Sequence, residues 1–404
     1  MDLHEHSNAP AIAVSERSTQ HAARYGITSA FGNPLDPRTW SAAPYRIAAG
    51  LRATGCEVFG VDGRLGRLRL SSYAMAAFRR RFRRLSYSEA IGRTYLARRH
   101  RARRVARAVA TLGLDAVLHT GSLDLPPERD DVAHYLYCDQ TWNLSLHYRP
   151  DRADYTDLAC AEFDELERAS FAAMRHIFTF GEYVRDDLIA HYGIAPERVT
   201  AVGSGMGQIT PYYGPKDYAH GPLLFVAKHL FAPKGGALLL EAFARVRRMR
   251  PDLKLVMVAP DAPAELARSI GNVSLRRHVP WPALENLYRS ASLLVQPMLN
   301  DPWGQVYLEA LLSRTPVMGL ARNGLPEIVE GGRHGFLVPE PAPEELAHAI
   351  VDAMADPDRL ALMGASGQAH VQRIYSWDLT SRRIADVLAR HASVGVPLRE
   401  RSIA

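Results

Sequence analysis

Short apolar runs of four or five residues alternate along most of this chain with longer stretches whose apolar positions recur every three or four residues. The first pattern is that of a strand buried on both faces, the second that of an amphipathic helix. Near the start, Thr28-Ser29-Ala30-Phe31-Gly32-Asn33-Pro34 marks an apolar-to-turn transition; a helix follows at about 41–54 and a strand at 57–61. Residues 71–110 predict one or two helices, arginine-rich outside with Phe78, Phe82, Tyr95, Leu96, Val105 and Val109 inside. Strands at 115–118 and 133–137, a helix at 161–174, a strand at 177–180, a helix at 182–192 and a strand at 199–202 complete this half. Gly203 to Pro222 is rich in Gly, Pro and Tyr, a linker composition, and 211–222 is the expected domain boundary.

Beyond it the alternation restarts: strands at 223–227, 253–258, 273–275, 292–296, 316–319 and 335–338, with helices at 235–248, 262–269, 283–290, 304–313, 325–330 and 342–354 between and after them. Strands alternating with helices of this length imply an α/β fold of parallel sheets covered on both faces. The expected architecture is two Rossmann-like domains, 22–210 and 223–374, facing across a cleft, with the polar, aperiodic residues 1–21 outside the folded core.

Composition narrows the class. With 404 residues and 47% apolar content the chain has material for two cores, and no apolar run reaches the ~18 residues that span a bilayer. The opening Met1-Asp2-Leu3-His4-Glu5-His6 does not have the pattern of a secretory signal. Cys56, Cys138 and Cys160 make neither a metal-type pair nor a disulfide framework, so the expectation is a cytoplasmic protein. Charge is uneven: the net +6 divides into twelve Arg against one acid, Glu89, between Arg79 and Arg107 (+11), and −5 elsewhere. Such a stretch suits an anionic partner, and peripheral binding to the inner face of an anionic membrane is the reading it adds; the alternative is a helical face whose arginines pair with acids elsewhere. No aromatic-interleaved basic motif of a nucleic-acid reader is present, so no nucleic acid is expected as partner.

The chemistry concentrates after two strands of the second half. Pro297-Met298-Leu299-Asn300-Asp301-Pro302-Trp303-Gly304-Gln305-Val306-Tyr307-Leu308-Glu309-Ala310 follows an apolar strand, and so lies at the sheet edge where doubly wound folds bind ligands. A carboxylate in the loop (Asp301) and another in the next helix (Glu309) can face a polyol held at the helix N-terminus, where free N–H groups suit a phosphate; equally, they are a cap and an exposed helical acid. Lys228 and Lys234, six apart after another strand and beside Gly235-Gly236, offer two cations for a diphosphate.

Asp301-x-Trp303-Gly304-x-x-x-x-Glu309-Ala310 is similar to the donor-site motif of retaining GT-B glycosyltransferases (family 4-like, group 1), with Asp301 where that family carries Glu. Thr315-Pro316-Val317, Gly324-Leu325-Pro326-Glu327-Ile328-Val329 and Gly335-Phe336-Leu337-Val338 follow in the family's order, and Ala227-Lys228…Lys234-Gly235 resembles its Gly-Arg…Lys-Gly element. Ser204-Gly205 resembles its interdomain Asn-Gly, and Tyr375-Ser376-Trp377 its C-terminal helix that crosses back to the first domain, giving 375–404 as crossover and tail. The first half matches only in outline: Thr39-Trp40-Ser41-Ala42-Ala43-Pro44 stands where the family has a Gly-Gly loop, and Asp139 where many relatives place a His beside the donor sugar.

The resemblance implies a metal-independent hexosyltransferase that uses a nucleotide-sugar donor and no cofactor, as in polysaccharide biosynthesis, acting on a glycan, lipid-linked or small-molecule acceptor. Lys228, Lys234, Asp301 and Asp139 would be its catalytic residues; Trp303, Gly304, Gln305, Val306, Glu309, Gly205 and Ser41 would bind substrate. A sugar phosphorylase or nucleotide-sugar epimerase on the same fold is the alternative, and a nucleic-acid-binding protein ranks last.

Overall fold

The computed structural model describes residues 22–66, 92–127, 132–148, 156–227 and 230–393. Two six-stranded parallel sheets organise them. The first contains β1 (Arg24–Ser29), β2 (Glu57–Asp62), β3 (Ala116–Thr120), β4 (Ala133–Cys138), β5 (His176–Thr179) and β6 (Val199–Ala201), in the order β2-β1-β3-β4-β5-β6. The second contains β7 (Leu223–Val226), β8 (Leu255–Val258), β9 (Val273–Arg276), β10 (Leu293–Val295), β11 (Val317–Leu320) and β12 (Gly335–Val338), in the order β12-β11-β10-β7-β8-β9. Every residue of β7 and β10 is buried, which is why these strands read as continuous apolar runs. These are the two Rossmann-like domains that the alternation predicted.

The described helices of the first half are α1 (Ala43–Ala53), α2 (Tyr95–Leu112), α3 (Trp142–His147), α4 (Asp157–Ala173) and α5 (Glu182–Ala190). In the second half come α6 (Gly236–Met249), α7 (Ala264–Ile270), α8 (Trp281–Ser290), α9 (Gln305–Leu312), α10 (Leu325–Ile328), α11 (Pro343–Met354) and α12 (Pro357–Ile374), and last α13 (Trp377–Ser393). Amphipathicity drives them: α6 buries Leu239, Ala242, Phe243 and Val246, spaced at helical period, against its sheet. The helix α12 was not read from the sequence. Gly364 and Gly367 weaken its helical signal, and both serve contact: a Cβ at Gly364 would meet the Arg314 backbone, and one at Gly367 would lie 2.6 Å from Leu311 of α9.

The last helix leaves the second half and packs on the first. Along α1, a Cβ at Gly50 would strike Ser381 of α13. Arg383 and Thr380 of α13 donate to the Val202 carbonyl at 3.0 and 3.4 Å, and Tyr135 of β4 pairs with His391 at 3.3 Å.

The arginine-dense stretch differs from expectation. Residues 79–91, with Phe82, lie outside the described residues, as does Phe78. In α2, Arg98 and Arg101 are buried, while Tyr95 and Leu96, expected inside, are 40% and 44% exposed. Arg101 ion-pairs with buried Asp124 at 2.9 Å, and Arg98 donates to the Ser122 and Asp124 carbonyls at 2.8 and 3.1 Å. Burial lowers the Arg98 pKa to about 10. The guanidinium forks satisfy loop carbonyls that strands cannot reach, so this helix turns part of its charge inward. Arg99, Arg103 and Arg107 stay exposed, four residues apart on one face.

Candidate active site

In each sheet the strand order reverses once, and ligands of such folds bind at the C-terminal ends of the strands flanking the reversal. In the second sheet those strands are β7 and β10. The loop after β7 carries Lys234 and the loop after β10 carries Asp301, and the two meet: Lys234 Nζ lies 2.6 Å from Asp301 Oδ2. The other Asp301 oxygen accepts from the Gly304 amide at 3.0 Å, which shapes the turn into α9. Lys228 lies outside the described residues.

The two loops share a construction. Gly235 caps α6 at φ +79° and Gly304 caps α9 at φ +73°, both left-handed. A Cβ at Gly235 would run into the Pro297 carbonyl, and one at Gly304 would lie 2.7 Å from Met298 Cε and 2.8 Å from Tyr307. Both glycines are therefore required by the backbone itself. Glu309, one turn into α9, is buried, accepts from the Tyr288 hydroxyl at 2.7 Å, and faces Gly207, where a Cβ would collide with its carboxylate. Gln305 donates to the Gly205 carbonyl at 3.4 Å. Gly205 itself is pressed against Trp377, whose indole N–H donates to the Met206 carbonyl at 3.0 Å.

Trp303 and Val306 are buried. The Trp303 ring packs edge-on against Phe180 of the first half at 5.9 Å and against Tyr375 at 5.6 Å, and its indole N–H has no hydrogen-bond partner. From the first half, the Tyr183 hydroxyl sits 2.6 Å from the Asp139 carbonyl and 2.8 Å from that of Pro302, so the loop after β4 abuts the loop after β10. Asp139 thus comes close to Asp301. Burial is the main cause that lifts its carboxyl pKa to about 7, and the Asp301 charge adds to it.

The residue sequence reasoning left without a role is Glu327. It reaches across from α10 to cap α5, accepting from the Glu182 and Tyr183 amides at 2.8 and 2.6 Å, and burial raises its pKa. The Gly-Leu-Pro-Glu-Ile motif held that signal.

A cavity of about 180 Å³ joins these parts, lined by Ser41 and Arg46 of the first half, Gln305 and Glu309 of α9, and Trp281 and Trp377 among others. Ser41 reaches it on an unusual backbone: Trp40, Ser41 and Ala42 all have positive φ (43°, 54° and 66°). The Trp40 ring is held by Phe31 at 5.9 Å, Tyr137 at 6.0 Å and Phe180 at 5.4 Å.

Comparison with known proteins fits this geometry. Residues 221–356, which carry both loops, match the family described as glycosyl transferases group 1. The D-inositol 3-phosphate glycosyltransferase of Thermobispora bispora is 30% identical over 324 residues, 68% of this chain and 73% of its own length. The chain belongs to the group 1 glycosyltransferases. The enzyme of the same name from Corynebacterium kroppenstedtii is 28% identical over half of each chain. Among solved structures, sucrose-phosphate synthase from Thermosynechococcus elongatus covers 92% of this chain and all of its own at TM-score 0.69 and 15% identity. WaaG, a glycosyltransferase of lipopolysaccharide biosynthesis, covers 90% and 99% at TM-score 0.63 and 17% identity. The fold of this group 1 glycosyltransferase is GT-B, and its reaction is retaining transfer of a sugar from a nucleotide-sugar donor.

Proposed function

We propose that the donor's diphosphate lies between Lys234 and the free amides that open α9, with Lys228 as a second cation for it, that Glu309 holds the ribose, and that Asp301 holds the sugar. The observation that carries this reading is the meeting of Lys234 and Asp301 at 2.6 Å, at the ends of the two strands that flank the reversal in the second sheet. As the bond from the anomeric carbon to the phosphate oxygen breaks, the acceptor oxygen bonds to that carbon on the same face and its proton passes to the departing diphosphate. Lys234 and the α9 amides stabilise the charge that develops there. Asp139, across the cleft, in its ionised form stabilises the positive charge growing at the anomeric carbon.

The acceptor we infer is a small phosphorylated polyol or sugar, with Arg46, exposed on α1 and lining the cavity, meeting its phosphate. The names of the inositol-phosphate relatives support this class. Calorimetry separates the roles: Glu309→Gln should weaken the nucleoside diphosphate itself, whereas Asp301→Ala should spare it and lose discrimination among sugars. Equal loss of both ligands in both variants contradicts the assignment. An assay with inositol phosphate, a hexose phosphate and their unphosphorylated forms tests the acceptor; indifference to the phosphate, or to Arg46→Ala, sinks that part.

The exposed row Arg99, Arg103 and Arg107, with Tyr95 and Leu96 at its start, favours a second reading, in which the enzyme works at an anionic cytoplasmic membrane face on a lipid-linked acceptor. No helix among the described residues is long and apolar enough to cross a membrane. Flotation with anionic and neutral liposomes, repeated with the three arginines changed to Glu, decides between the two.

A further inference from the structure

Away from the donor loops, two buried histidines and a carboxylate converge where α10 leads into β12 and α12 ends. The rings of His334 and His370 lie 4.6 Å apart, and the metal-ligating atoms of these two and of Glu330 all fall within 4.8 Å of one another. The hydrogen bonding around them is incomplete in a specific way. Ser366 Oγ lies 3.2 Å from the Met363 carbonyl and 3.0 Å from His334 Nδ1, so when the hydroxyl donates to that carbonyl the Nδ1 position carries the proton. In the neutral ring Nε2 is then a bare lone pair, and it faces a Glu330 oxygen at 3.2 Å. In that tautomer two acceptors face each other, an arrangement that either a proton or a bound metal ion relieves. His370 adds a third: only 4% exposed, it has no hydrogen-bond partner at either nitrogen, yet Nδ1 lies 3.3 Å from the other Glu330 oxygen.

We propose that Glu330, His334 and His370 bind one divalent transition-metal ion of the zinc class. Ligands at ~2.0–2.1 Å from a tetrahedral centre stand about 3.3 Å apart; here one Glu330 oxygen lies 3.2 Å from His334 Nε2 and the other 3.3 Å from His370 Nδ1, and two imidazoles with one carboxylate suit zinc rather than calcium or magnesium. Ser366 is the outer partner that fixes the His334 tautomer. Arg333 and Arg373, at 3.0 and 4.0 Å from Glu330, are 74% and 70% exposed and free to withdraw into water. The ion is structural. It ties the last turn of α12 to the loop before β12, and from His370 ring contacts run through Tyr375 (6.0 Å) to Trp303 (5.6 Å) behind the donor loop.

The test uses the untagged full chain with His4 and His6 changed to Ala, so that the N-terminal pair does not compete. After chelator treatment it is titrated with zinc against a chromophoric chelator, and separately with cobalt(II) for the visible bands of a four-coordinate ion. One equivalent should bind. His370→Phe, which keeps the ring volume, and Glu330→Gln should each weaken binding more than about tenfold, since even outer-partner losses reach that range; exposed His348→Ala should not. Failure to bind one equivalent, or undiminished binding by His370→Phe, overturns the site. So does an NMR titration in which His334 is doubly protonated at neutral pH and zinc leaves its shifts unchanged.

Discussion

Three helices at the cleft begin after a residue in the left-handed region, and the two halves of the molecule reach that conformation by different means. In the second half the residue is glycine, Gly235 before α6 and Gly304 before α9. In the first half it is Ala42 before α1, preceded by two more left-handed residues, Trp40 and Ser41, with no glycine among them. A non-glycine residue pays roughly 1–2 kcal/mol for this backbone, so the first loop stands only because Trp40 is locked among Phe31, Tyr137 and Phe180. One half obtains its loop shape from residue type, the other from packing. The proposed donor cradle is built from local necessity, while the facing lip is held from a distance.

The comparison can be broken most severely at Gly235. Adding a Cβ forces a left-handed alanine and a collision with the Pro297 carbonyl, so Gly235→Ala should cost about 2–5 kcal/mol of stability, read by denaturant unfolding. A loss under about 1 kcal/mol would mean that packing, not glycine, shapes this loop too. Next is the charge the cradle holds. Lys234→Ala should lower kcat by about 100- to 1000-fold, near 2.7–4 kcal/mol, with unchanged circular dichroism; a folded variant with most of its activity removes Lys234 from the reaction.

On the opposite lip the expected effect is smaller and depends on pH. With the Asp139 carboxyl lifted to about 7, the ionised form required by the proposed mechanism grows about tenfold between pH 6 and 8, and kcat/KM should rise with it. Asp139→Asn should abolish that limb. The same shift has an opposite consequence for the fold. A carboxyl whose pKa is higher folded than unfolded binds its proton more tightly in the native state, so stability falls as pH rises from about 4 to about 7 and then levels, a slope that Asp139→Asn should reduce. The smallest change is Ser41→Gly, which relieves one left-handed residue and should raise stability by about 1 kcal/mol or less, after the entropy of a freer unfolded chain is subtracted. A loss instead would show that the lip is not strained at Ser41.

The sequence alone determined the alternation of strands and helices and, through Asp301-x-Trp303-Gly304 and Lys234-Gly235, the two loops of the proposed donor cradle, because each follows from neighbours a few residues apart: buried runs, helical periods, glycine at a left-handed cap. Tertiary structure alone decided what depends on residues far apart in the chain. It turned Arg98 and Arg101 inward onto carbonyls near Asp124, while Tyr95 and Leu96 were left outside, because buried carbonyls need donors and a helical period cannot say which face will find them. It set Glu327 on α5, 145 residues from the Glu182 amide it accepts. It made α12 a helix despite Gly364 and Gly367, whose missing side chains admit the Arg314 backbone and Leu311. It also brought His370 beside Glu330 and His334, a convergence no spacing announces, since a polar group's partners are fixed by where packing delivers them.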